Sequence, residues 1–368
     1  MPGSAEEDRR WMTAALALAR RGLGRVWPNP AVGCVIVRNG RLLGRGWTQP
    51  GGRPHAETMA LAAAGAAARG ADAYISLEPC AHHGRTPPCA DALIGAGIAR
   101  AVTPMEDPDP RVSGRGLARL RAAGVIVETG LMREEAAALN AGFLMRQTDG
   151  RPMLTLKLAA TLDGRIATES GESRWISGPA ARARAHLMRA RHDAVLVGGA
   201  TARADDPALD VRLQGLEGRA PHRLVIDADL SLPITLKLAS PSPAPAWRLH
   251  LEGATCAAGW GEALAVKPDA DGRLDLVDMM QVLGQRGLTR VLCEGGGRLG
   301  AALLKAGLVD ELVWVTAGAA IGAEGAPALG LLSLHALSDA PRFAPVAHEM
   351  LGPDLLSVWR PLPARAAA

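Results

Sequence analysis

The chain has 368 residues, of which 48% are hydrophobic, and its 41 basic and 37 acidic residues leave a formal net charge of +4. This length predicts two domains of about 150 to 200 residues each. The basic residues are scattered rather than clustered, which argues against a nucleic-acid-binding surface. The sequence has no apolar run of about 18 residues and starts with a polar segment, so we expect no membrane span, no signal peptide and a cytoplasmic location.

Helix and strand signals alternate along the first half of the chain. Apolar residues recur at helical spacing in 6–21, and the short β-branched run at 32–37 ends at Asn39-Gly40, a typical hairpin turn. Further helices are expected at 56–69, 91–96 and 116–123, and further strands at 73–77, 100–104 and 125–128. A hairpin that leads into such α/β units predicts a sheet covered by helices on both faces.

A candidate metal site lies within these elements. His55 and Glu57 are separated by one residue, and Cys80 and Cys89 follow 25 and 34 positions after His55. One imidazole and two thiolates fill three corners of a tetrahedron, and an open fourth corner is typical of catalytic zinc, where bound water ionises near neutral pH. Glu57 is too close to His55 to be an equivalent ligand, but from the first turn of a helix it can carry the proton of that water. This order of residues is that of the zinc nucleobase deaminases.

A structural interpretation of the same residues is also open. Buried cysteines are often plain core residues, and a histidine is more often hydrogen-bonded in a core than bound to metal. The spacing between Cys80 and Cys89 also exceeds the short P-C-x-x-C form. The intervening residues are polar and include two prolines, so they predict a loop that could bring both thiolates to one ion. The joint occurrence of the histidine, the glutamate and the two cysteines favours zinc.

The pattern of helices and strands restarts after a polar stretch at 147–152, so we place domains at 1–148 and 149–368. In the second domain, strands are expected at 153–159, 194–197, 224–226, 291–293 and 312–316, and helices at 180–191 and 299–306. The proline- and serine-rich segment 240–246 predicts a mobile loop. The two halves share no repeat, so the second domain is expected to have its own task.

Three features of the second domain suggest phosphate and dinucleotide chemistry. A glycine-rich turn at 294–300 lies between a strand and a helix, and it is either an ordinary turn or a phosphate-binding site. The acidic residue that binds the ribose in a Rossmann fold does not follow the next strand. Asp205 lies in a loop after the strand 194–197, where a carboxylate is either a solvated cap or a catalytic group. Lys157 interrupts an apolar strand in a chain with only four lysines, so it is either a proton donor or a cation on an exposed strand face.

Taken together, the motifs of both halves resemble one protein family. The segments around Asn29, His55 and Cys80 resemble the deaminase half of the bifunctional riboflavin-biosynthesis deaminase-reductases, and the long spacing between the two cysteines is that family's own pattern. The segments 157–165, 171–176, 205–209 and 294–296 resemble the reductase half. The resemblance runs from Trp11 to Trp359, with 231–275 poorly matched.

This resemblance implies an α/β fold with an N-terminal cytidine-deaminase-like domain and a C-terminal dihydrofolate-reductase-like domain. It implies zinc-dependent hydrolytic deamination of a diaminopyrimidinone that carries phosphoribose, followed by NADPH-dependent reduction of the ribosyl group to ribityl. The implied cofactors are one Zn2+ per chain and NADPH. The implied partners are these small molecules, without nucleic acid or membrane, and we further expect a homo-oligomer, with a dimer favoured.

Site residues follow from the resemblance position by position. In the first domain it implies that His55, Cys80 and Cys89 hold zinc, that Glu57 is the proton shuttle and that Asn29 binds substrate. In the second domain, the implied catalytic residues are Lys157 and Asp205. The positions that match NADP contacts are Ala159, Trp175, Thr201, Asp205, Ala228, Gly296, Gly297, Arg298, Leu299, Gly300, Ala301 and Ala302. The positions that match contacts with the phosphoribosyl substrate are Ser173, Arg189, Leu209, Arg212 and Glu294. Ala228 stands where a serine is common, so its contact can only be through the backbone.

Two other functions have to be weighed. A deaminase that acts on nucleic acid would share the zinc motif, but it needs a basic face with stacking aromatic residues, and this chain has eight Trp, two Phe, one Tyr and little net charge. A binding or regulatory protein with an inactive second domain is the other alternative, and the presence of Lys157, Asp205 and Glu294 argues against it. Measurements of RNA affinity and of NADPH oxidation separate these functions.

Overall fold

The structure is a computed structural model that describes residues 4–83, 87–255 and 259–362. Residues 84–86, which belong to the segment between Cys80 and Cys89, and Cys256 lie outside the described residues. The chain divides into two compact units, Met1–Gly150 and Arg151–Ala368. Each unit is described by itself.

The first unit is built on a five-stranded sheet with the strand order β2-β1-β3-β4-β5. Its strands are β1 (Gly33–Arg38), β2 (Arg41–Trp47), β3 (Asp72–Ile75), β4 (Arg100–Thr103) and β5 (Ile126–Thr129). Its helices are α1 (Ala5–Ala19), α2 (Ala56–Ala64), α3 (Cys89–Gly95), α4 (Arg115–Ala122), α5 (Arg133–Leu139) and α6 (Ala141–Asp149). The hairpin strand β1 is antiparallel to both of its neighbours, whereas β3, β4 and β5 run parallel.

Helices cover both faces of this sheet, as the sequence predicts. Cys34 and Ile36 belong to a buried cluster on one face, and Val35 and Val37 belong to a cluster on the other face, because successive side chains of a strand point in opposite directions. The first cluster includes residues of α2, α3 and α4, and the second includes residues of α1 and α5. A strand buried on both faces explains the continuous apolar run of β1.

Two glycines in β2 let α2 lie directly on the sheet. A Cβ atom at Gly44 would lie 2.1 Å from the carbonyl oxygen of Ala60, and one at Gly46 would lie 2.3 Å from that of Ala56. No larger residue fits at such an approach, so both positions require glycine. The close packing fixes the first turn of α2, where the candidate metal site begins.

The second unit contains a nine-stranded sheet with the order β11-β10-β9-β8-β12-β6-β13-β16-β15, and a two-stranded sheet of β14 and β7. Its strands are β6 (Met153–Thr161), β7 (Arg165–Ala167), β8 (Ala194–Gly198), β9 (His222–Ile226), β10 (Ala246–Leu251), β11 (Glu262–Val266), β12 (Arg290–Cys293), β13 (Glu311–Ala317), β14 (Ala326–Pro327), β15 (Phe343–Leu351) and β16 (Asp354–Pro361). Its helices are α7 (Pro179–Arg189), α8 (Gly199–Asp205), α9 (Leu276–Gln285) and α10 (Gly297–Lys305). The strands from β11 to β13 are parallel to one another, and β16 and β15 complete the sheet as an antiparallel hairpin.

The structure corrects the sequence analysis in the second unit. Thr201 and Asp205 lie in the short helix α8, not in a loop, because the chain turns into a helix directly at the end of β8. Strands β10 and β11 and helix α9 lie in or beside the poorly matched segment and were not predicted. The hairpin β15–β16 also escaped prediction, since β15 is exposed along most of its length and has no apolar periodicity to reveal it. Within the described ranges, no helix is long and apolar enough to span a membrane.

Candidate functional site

The predicted zinc ligands of the first unit meet in space. His55 is the N-terminal cap of α2, Cys89 is the first residue of α3, and Cys80 lies in the segment after β3. His55 Nδ1 is 3.3 Å from Cys89 Sγ and 3.7 Å from Cys80 Sγ, and the three ligand atoms all lie within 4.8 Å of one another. One nitrogen and two sulfurs at these separations fit the inner sphere of a zinc ion with one position left open.

The surroundings of Cys80 favour negative charge on its sulfur. Hydrogen bonding from the Cys89 thiol is the main reason that the pKa of Cys80 falls to about 4, and hydrogen bonds from His55 and the Cys89 backbone act in the same direction against burial. The Cys89 N–H donates to Cys80 Sγ over 3.3 Å, at the start of α3, where helix amides favour anions. The negative Cys80 in turn raises the pKa of Cys89. A thiolate is therefore ready to accept a metal ion.

Glu57 lies in the first turn of α2, two residues after the predicted ligand His55, and is only 3% exposed. Burial raises the pKa of Glu57 to about 7, the charge of Cys80 adds to this effect, and His55 opposes it. A carboxyl group with a pKa near neutrality can both take and release a proton. Its position and its pKa therefore suit a proton carrier.

Glu78 holds the segment that delivers Cys80, a role that no sequence motif indicates. Its carboxylate accepts hydrogen bonds from the backbone N–H groups of Asp107 (3.0 Å), Gly114 (2.9 Å), Gly116 (2.9 Å) and Leu117 (3.2 Å). A charged acceptor at the N-terminus of α4 satisfies amides that have no partner inside the helix. The bonds fix the chain two residues before Cys80, a predicted zinc ligand.

A cavity of about 350 Å³ opens over this site. His55, Glu57 and Cys80 line it, together with Asn29, which the resemblance assigns to substrate binding. Asn29 is held in place, because its Nδ2 donates to the Val26 carbonyl over 3.4 Å. A polar pocket of this size above a metal site suits a small heterocyclic substrate.

Acidic residues of the loop after β4 also line this cavity and were not predicted from the sequence. Burial raises the pKa of Asp107 to about 7. The guanidinium of Arg111 donates to both carboxylate oxygens of Asp109, with Nε 2.9 Å from Oδ1 and Nη2 2.5 Å from Oδ2, and these bonds lower the pKa of Asp109. The signal that could have found them is the acidic, proline-rich stretch 106–110 directly after a parallel strand, since ligands bind beyond the carboxyl ends of such strands.

A larger cavity of about 740 Å³ lies in the second unit. Many of the residues that the resemblance assigns to the reductase site line this cavity. They are Lys157, Ala159, Ser173, Trp175, Arg189, Thr201, Asp205, Arg212, Glu294, Gly296 and Gly297. Strand β6, helices α7 and α8 and the start of α10 each contribute to this set, so the fold brings distant segments of the chain to one site.

Glu294 and Arg189 form a paired charge inside this cavity. Arg189 Nε and Nη2 donate to the two carboxylate oxygens over 2.6 and 2.8 Å. Burial would raise the pKa of Glu294, but the charge and hydrogen bonds of Arg189, with a contribution from Lys157, outweigh burial and hold that pKa at about 2. Burial lowers the pKa of Lys157, and Glu294 opposes this effect. Lys157 is thus a partly buried ammonium beside a carboxylate and does not lie on an exposed strand face.

The glycine-rich turn joins β12 to α10 at the cavity wall. A Cβ atom at Gly295 would lie 2.7 Å from the Cα atom of Val197, and one at Gly296, where φ is 47°, would lie 2.9 Å from the hydroxyl oxygen of Thr201. Only glycine allows both the backbone conformation and the close approach. The N-terminus of α10 therefore lies beside Thr201, in an arrangement that can bind phosphate.

Seven predicted contact positions do not line this cavity. Leu209 has φ of 53° and is 2% exposed within a hydrophobic cluster, so its side chain serves the core. Ala228 follows β9, and its carbonyl accepts from the Leu251 N–H over 3.0 Å. The others lie along α10, namely Arg298, Leu299, Gly300, Ala301 and Ala302, of which Gly300 and Ala301 are buried. The ligand contacts of these seven positions therefore stay predictions.

Comparison with protein families assigns a class to each unit. Residues 5–105 match the family described as the cytidine and deoxycytidylate deaminase zinc-binding region, and residues 152–357 match the RibD C-terminal domain. The first unit is thus a zinc-binding deaminase domain of the cytidine deaminase type, and the second is a reductase domain.

Full-length relatives combine the same two domains. The riboflavin biosynthesis protein RibD of Escherichia coli (strain K12) is 44% identical over 95% of this chain and 98% of its own length. The solved structure of Acinetobacter baumannii RibD is 36% identical, with a TM-score of 0.87 over 98% of this chain and all of that one. A diaminohydroxyphosphoribosylaminopyrimidine deaminase/5-amino-6-(5-phosphoribosylamino)uracil reductase of Thermotoga maritima is 34% identical, with the same TM-score and 98% coverage of this chain.

The chain belongs to the RibD family, the bifunctional deaminase-reductases of riboflavin biosynthesis. The predicted family, the α/β fold with its deaminase-like and reductase-like domains, and the two enzyme classes, hydrolase and oxidoreductase, are confirmed. Zinc is the metal of the deaminase domain, and NADPH is the reductant that this family uses.

Proposed function

We propose that the chain converts a phosphoribosylated diaminopyrimidinone in two consecutive steps. The first step removes an amino group by hydrolysis, and the second reduces 5-amino-6-(5-phosphoribosylamino)uracil to the ribityl compound. The printed name of the Thermotoga maritima relative contains both reactions. The observation that carries the proposal is the His55, Cys80 and Cys89 cluster with buried Glu57 beside it in one cavity.

In the deamination, bound zinc would supply activation of water at neutral pH. Glu57 would take the proton of that water and pass it to the departing amino group, since its pKa of about 7 allows both transfers. Asn29 would hold the substrate from the cavity wall. Asp107 has a similar raised pKa and can face the pyrimidine as a neutral donor.

In the reduction, NADPH would supply the hydride. Lys157 would hold the ring-opened sugar end and supply a proton, because its ammonium is buried enough to have a lowered pKa. Asp205 would orient the cofactor and substrate from the end of α8. Arg189 and Glu294 would bind the sugar as a pre-arranged pair, and Ser173, Arg212 and the turn at Gly296 and Gly297 would bind phosphate groups.

The assignment of deamination to 1–148 and reduction to 149–368 is part of this proposal. It is supported by the sites themselves, since every zinc-site residue precedes Gly150 and every reductase residue follows Arg151. A cytoplasmic location, where phosphorylated sugars and NADPH are both present, is also proposed, and cell fractionation measures it.

We further propose a homodimer. Strand β15 is the last strand of the nine-stranded sheet, and within the described ranges nothing pairs with its outer edge. Val346 and Met350 on this strand are 47% and 65% exposed. An open strand edge with exposed apolar side chains can pair with a second copy of the chain, which supports the proposal. Sedimentation velocity of the wild type and of a Val346→Lys, Met350→Lys variant tests whether this edge holds two copies together.

Two variants tested in two half-reactions examine the whole proposal. Glu57→Gln should stop ammonia release from the first substrate and leave NADPH oxidation by the deaminated compound close to normal. Asp205→Ala should do the reverse. Loss of both reactions in a folded, zinc-loaded Glu57→Gln protein would mean that the two sites are coupled and that the separation into two domains with separate activities is wrong.

A further inference from the structure

His186 lines the reductase cavity and has no role in the function described so far. It lies on α7 between Arg182 and Arg189, and these three residues all line the cavity because positions four and three residues apart share one helix face. The wall that α7 forms is therefore basic. His186 is the titratable member of this wall whose charge can change near neutral pH.

The ring of His186 is fixed through one nitrogen only. Its Nδ1 is 3.1 Å from the carbonyl oxygen of Asp210 and 3.3 Å from the backbone nitrogen of Arg212. A single ring nitrogen cannot donate and accept at once, and the shorter contact is to the carbonyl, which can only accept. We therefore place the hydrogen on Nδ1. Within the described part of the chain Nε2 has no hydrogen-bond partner, so in the neutral ring it carries a free lone pair.

The charges around His186 keep it neutral in the free protein. Burial is the first cause that lowers its pKa below 6.5, and the guanidinium of Arg189 on the same helix is the second. Arg212 acts in the same direction, whereas the Asp210 carbonyl and the carboxylate of Glu294 oppose it. The Asp210 carboxylate is paired with Arg212 Nε at 3.2 Å and lies 3.9 Å from Arg189 Nη1. A negative ligand near Nε2 would offset the lowering of the His186 pKa by the positive charges of Arg189 and Arg212.

From this geometry we infer that His186 binds the phosphate monoester of the sugar-phosphate substrate together with Arg212, and that the complex gains a proton. This inference rests on the proposed reductase function. A phosphate oxygen needs a donor at Nε2, and only a ring protonated at both nitrogens keeps the Asp210 bond while it donates there. The imidazole and the phosphate thus share one proton more than the free protein and free ligand hold separately.

The additional proton in the complex determines the sign of a pH effect on binding. Because the complex holds the additional proton, the affinity for the phosphate ester falls as the pH rises. The fall begins at the lowered pKa of His186 in the free protein and ends at its raised pKa in the complex. Between about pH 6.5 and about pH 8, KM for the reductase substrate should rise by up to about tenfold per pH unit. His186→Gln keeps a group of similar length but cannot gain a proton, so its KM should stay nearly flat over this range.

Calorimetry measures the proton directly, with ribose 5-phosphate as the probe. The full-length protein is titrated at pH 7.5 in buffers of different ionisation enthalpy, where a phosphate monoester is already mostly dianionic. The wild type should take up close to one proton per bound phosphate, and His186→Gln should take up almost none while binding about three- to tenfold more weakly. His335→Gln, at an exposed position outside the cavity, is the matched control and should behave as the wild type.

Each other outcome overturns the inference. No uptake in the wild type, or equal uptake in His186→Gln, would remove His186 from the phosphate site. Uptake with NADP+ but not with ribose 5-phosphate would assign it to the cofactor's phosphate, and uptake with unphosphorylated ribose would assign it to a sugar hydroxyl. A wild-type protein that binds ribose 5-phosphate without uptake and still oxidises NADPH refutes the inference and leaves the proposed function standing, whereas loss of the reductase reaction itself would refute the function.

Discussion

Glu78 tests how the fold positions the metal site. Its two carboxylate oxygens accept four backbone hydrogen bonds, from Asp107 and Gly114 on one oxygen and from Gly116 and Leu117 on the other. Glutamine at this position keeps one oxygen and replaces the second with an NH2 group. That group would face two N–H donors and could accept from neither.

The structure sets the expected magnitude. A hydrogen bond to a charged group is worth about 1.5 to 3 kcal/mol, and Glu78→Gln removes two of them and leaves buried donors unpaired. The free energy of unfolding of the first unit should fall by about 3 to 6 kcal/mol. For a unit of this size the corresponding fall in Tm is about 10 to 20 °C. Because Cys80 follows two residues later, the same change should also weaken zinc binding, although Glu78 is not a ligand.

Zinc content after dialysis against a chelator, together with calorimetric Tm, measures both effects. Asp91→Asn is the control, since Asp91 pairs with Arg119 at the surface, where both side chains are 41% exposed and such a pair contributes about 0 to 1 kcal/mol. The control should keep its zinc and its Tm. If Glu78→Gln retained zinc and melted like the wild type, the four backbone bonds would not be what positions Cys80, and the reasoning would be refuted.

Three further predictions concern the two active sites. Glu57→Gln should keep about one zinc per chain but lose deamination by about 10² to 10⁴-fold, which metal analysis and ammonia release measure together; an unchanged rate would refute its role as proton carrier. Lys157→Arg should lower the reductase rate strongly with deamination intact, because a planar guanidinium does not fit a site built for an ammonium, and wild-type reduction would make Lys157 a structural cation. The depressed pKa of Glu294, about 2 against 4.5, contributes roughly 3 kcal/mol of stability that is present above about pH 4.5 and is lost as pH falls towards 2. Arg189→Gln should abolish this segment of the pH–stability curve, and a curve unchanged between pH 4.5 and 2 would contradict the pairing.

The chemistry of the zinc site could be predicted from the sequence. His55, Glu57, Cys80 and Cys89 are residue types with few other uses in that order, and zinc accepts a limited set of ligands. The apolar run of β1 and the hairpin turn after it likewise predicted a buried strand and its antiparallel neighbour, because both depend on interactions between residues close in the chain. The glycine-rich turn before α10 also depends on residues close in the chain, and the predicted strand and helix lie on either side of it.

What the sequence alone could not decide depends on segments far apart in the chain. The role of Glu78 depends on amides about 30 to 40 residues later, and sequence periodicity carries no information about such a contact. Strand β15 was missed because an exposed edge strand has no buried face to produce a pattern.

Candidate contacts show the same limit. Sequence could not show that the side chain of Leu209, a predicted substrate-contacting position, packs in the core, or that His186, which matched no motif, lines the reductase cavity. The sequence by itself determined which chemical groups are present and which local elements carry them. Only the tertiary structure decided which groups face the same cavity, because burial, pKa and hydrogen bonding at a site are properties of the packed surroundings and not of the residue.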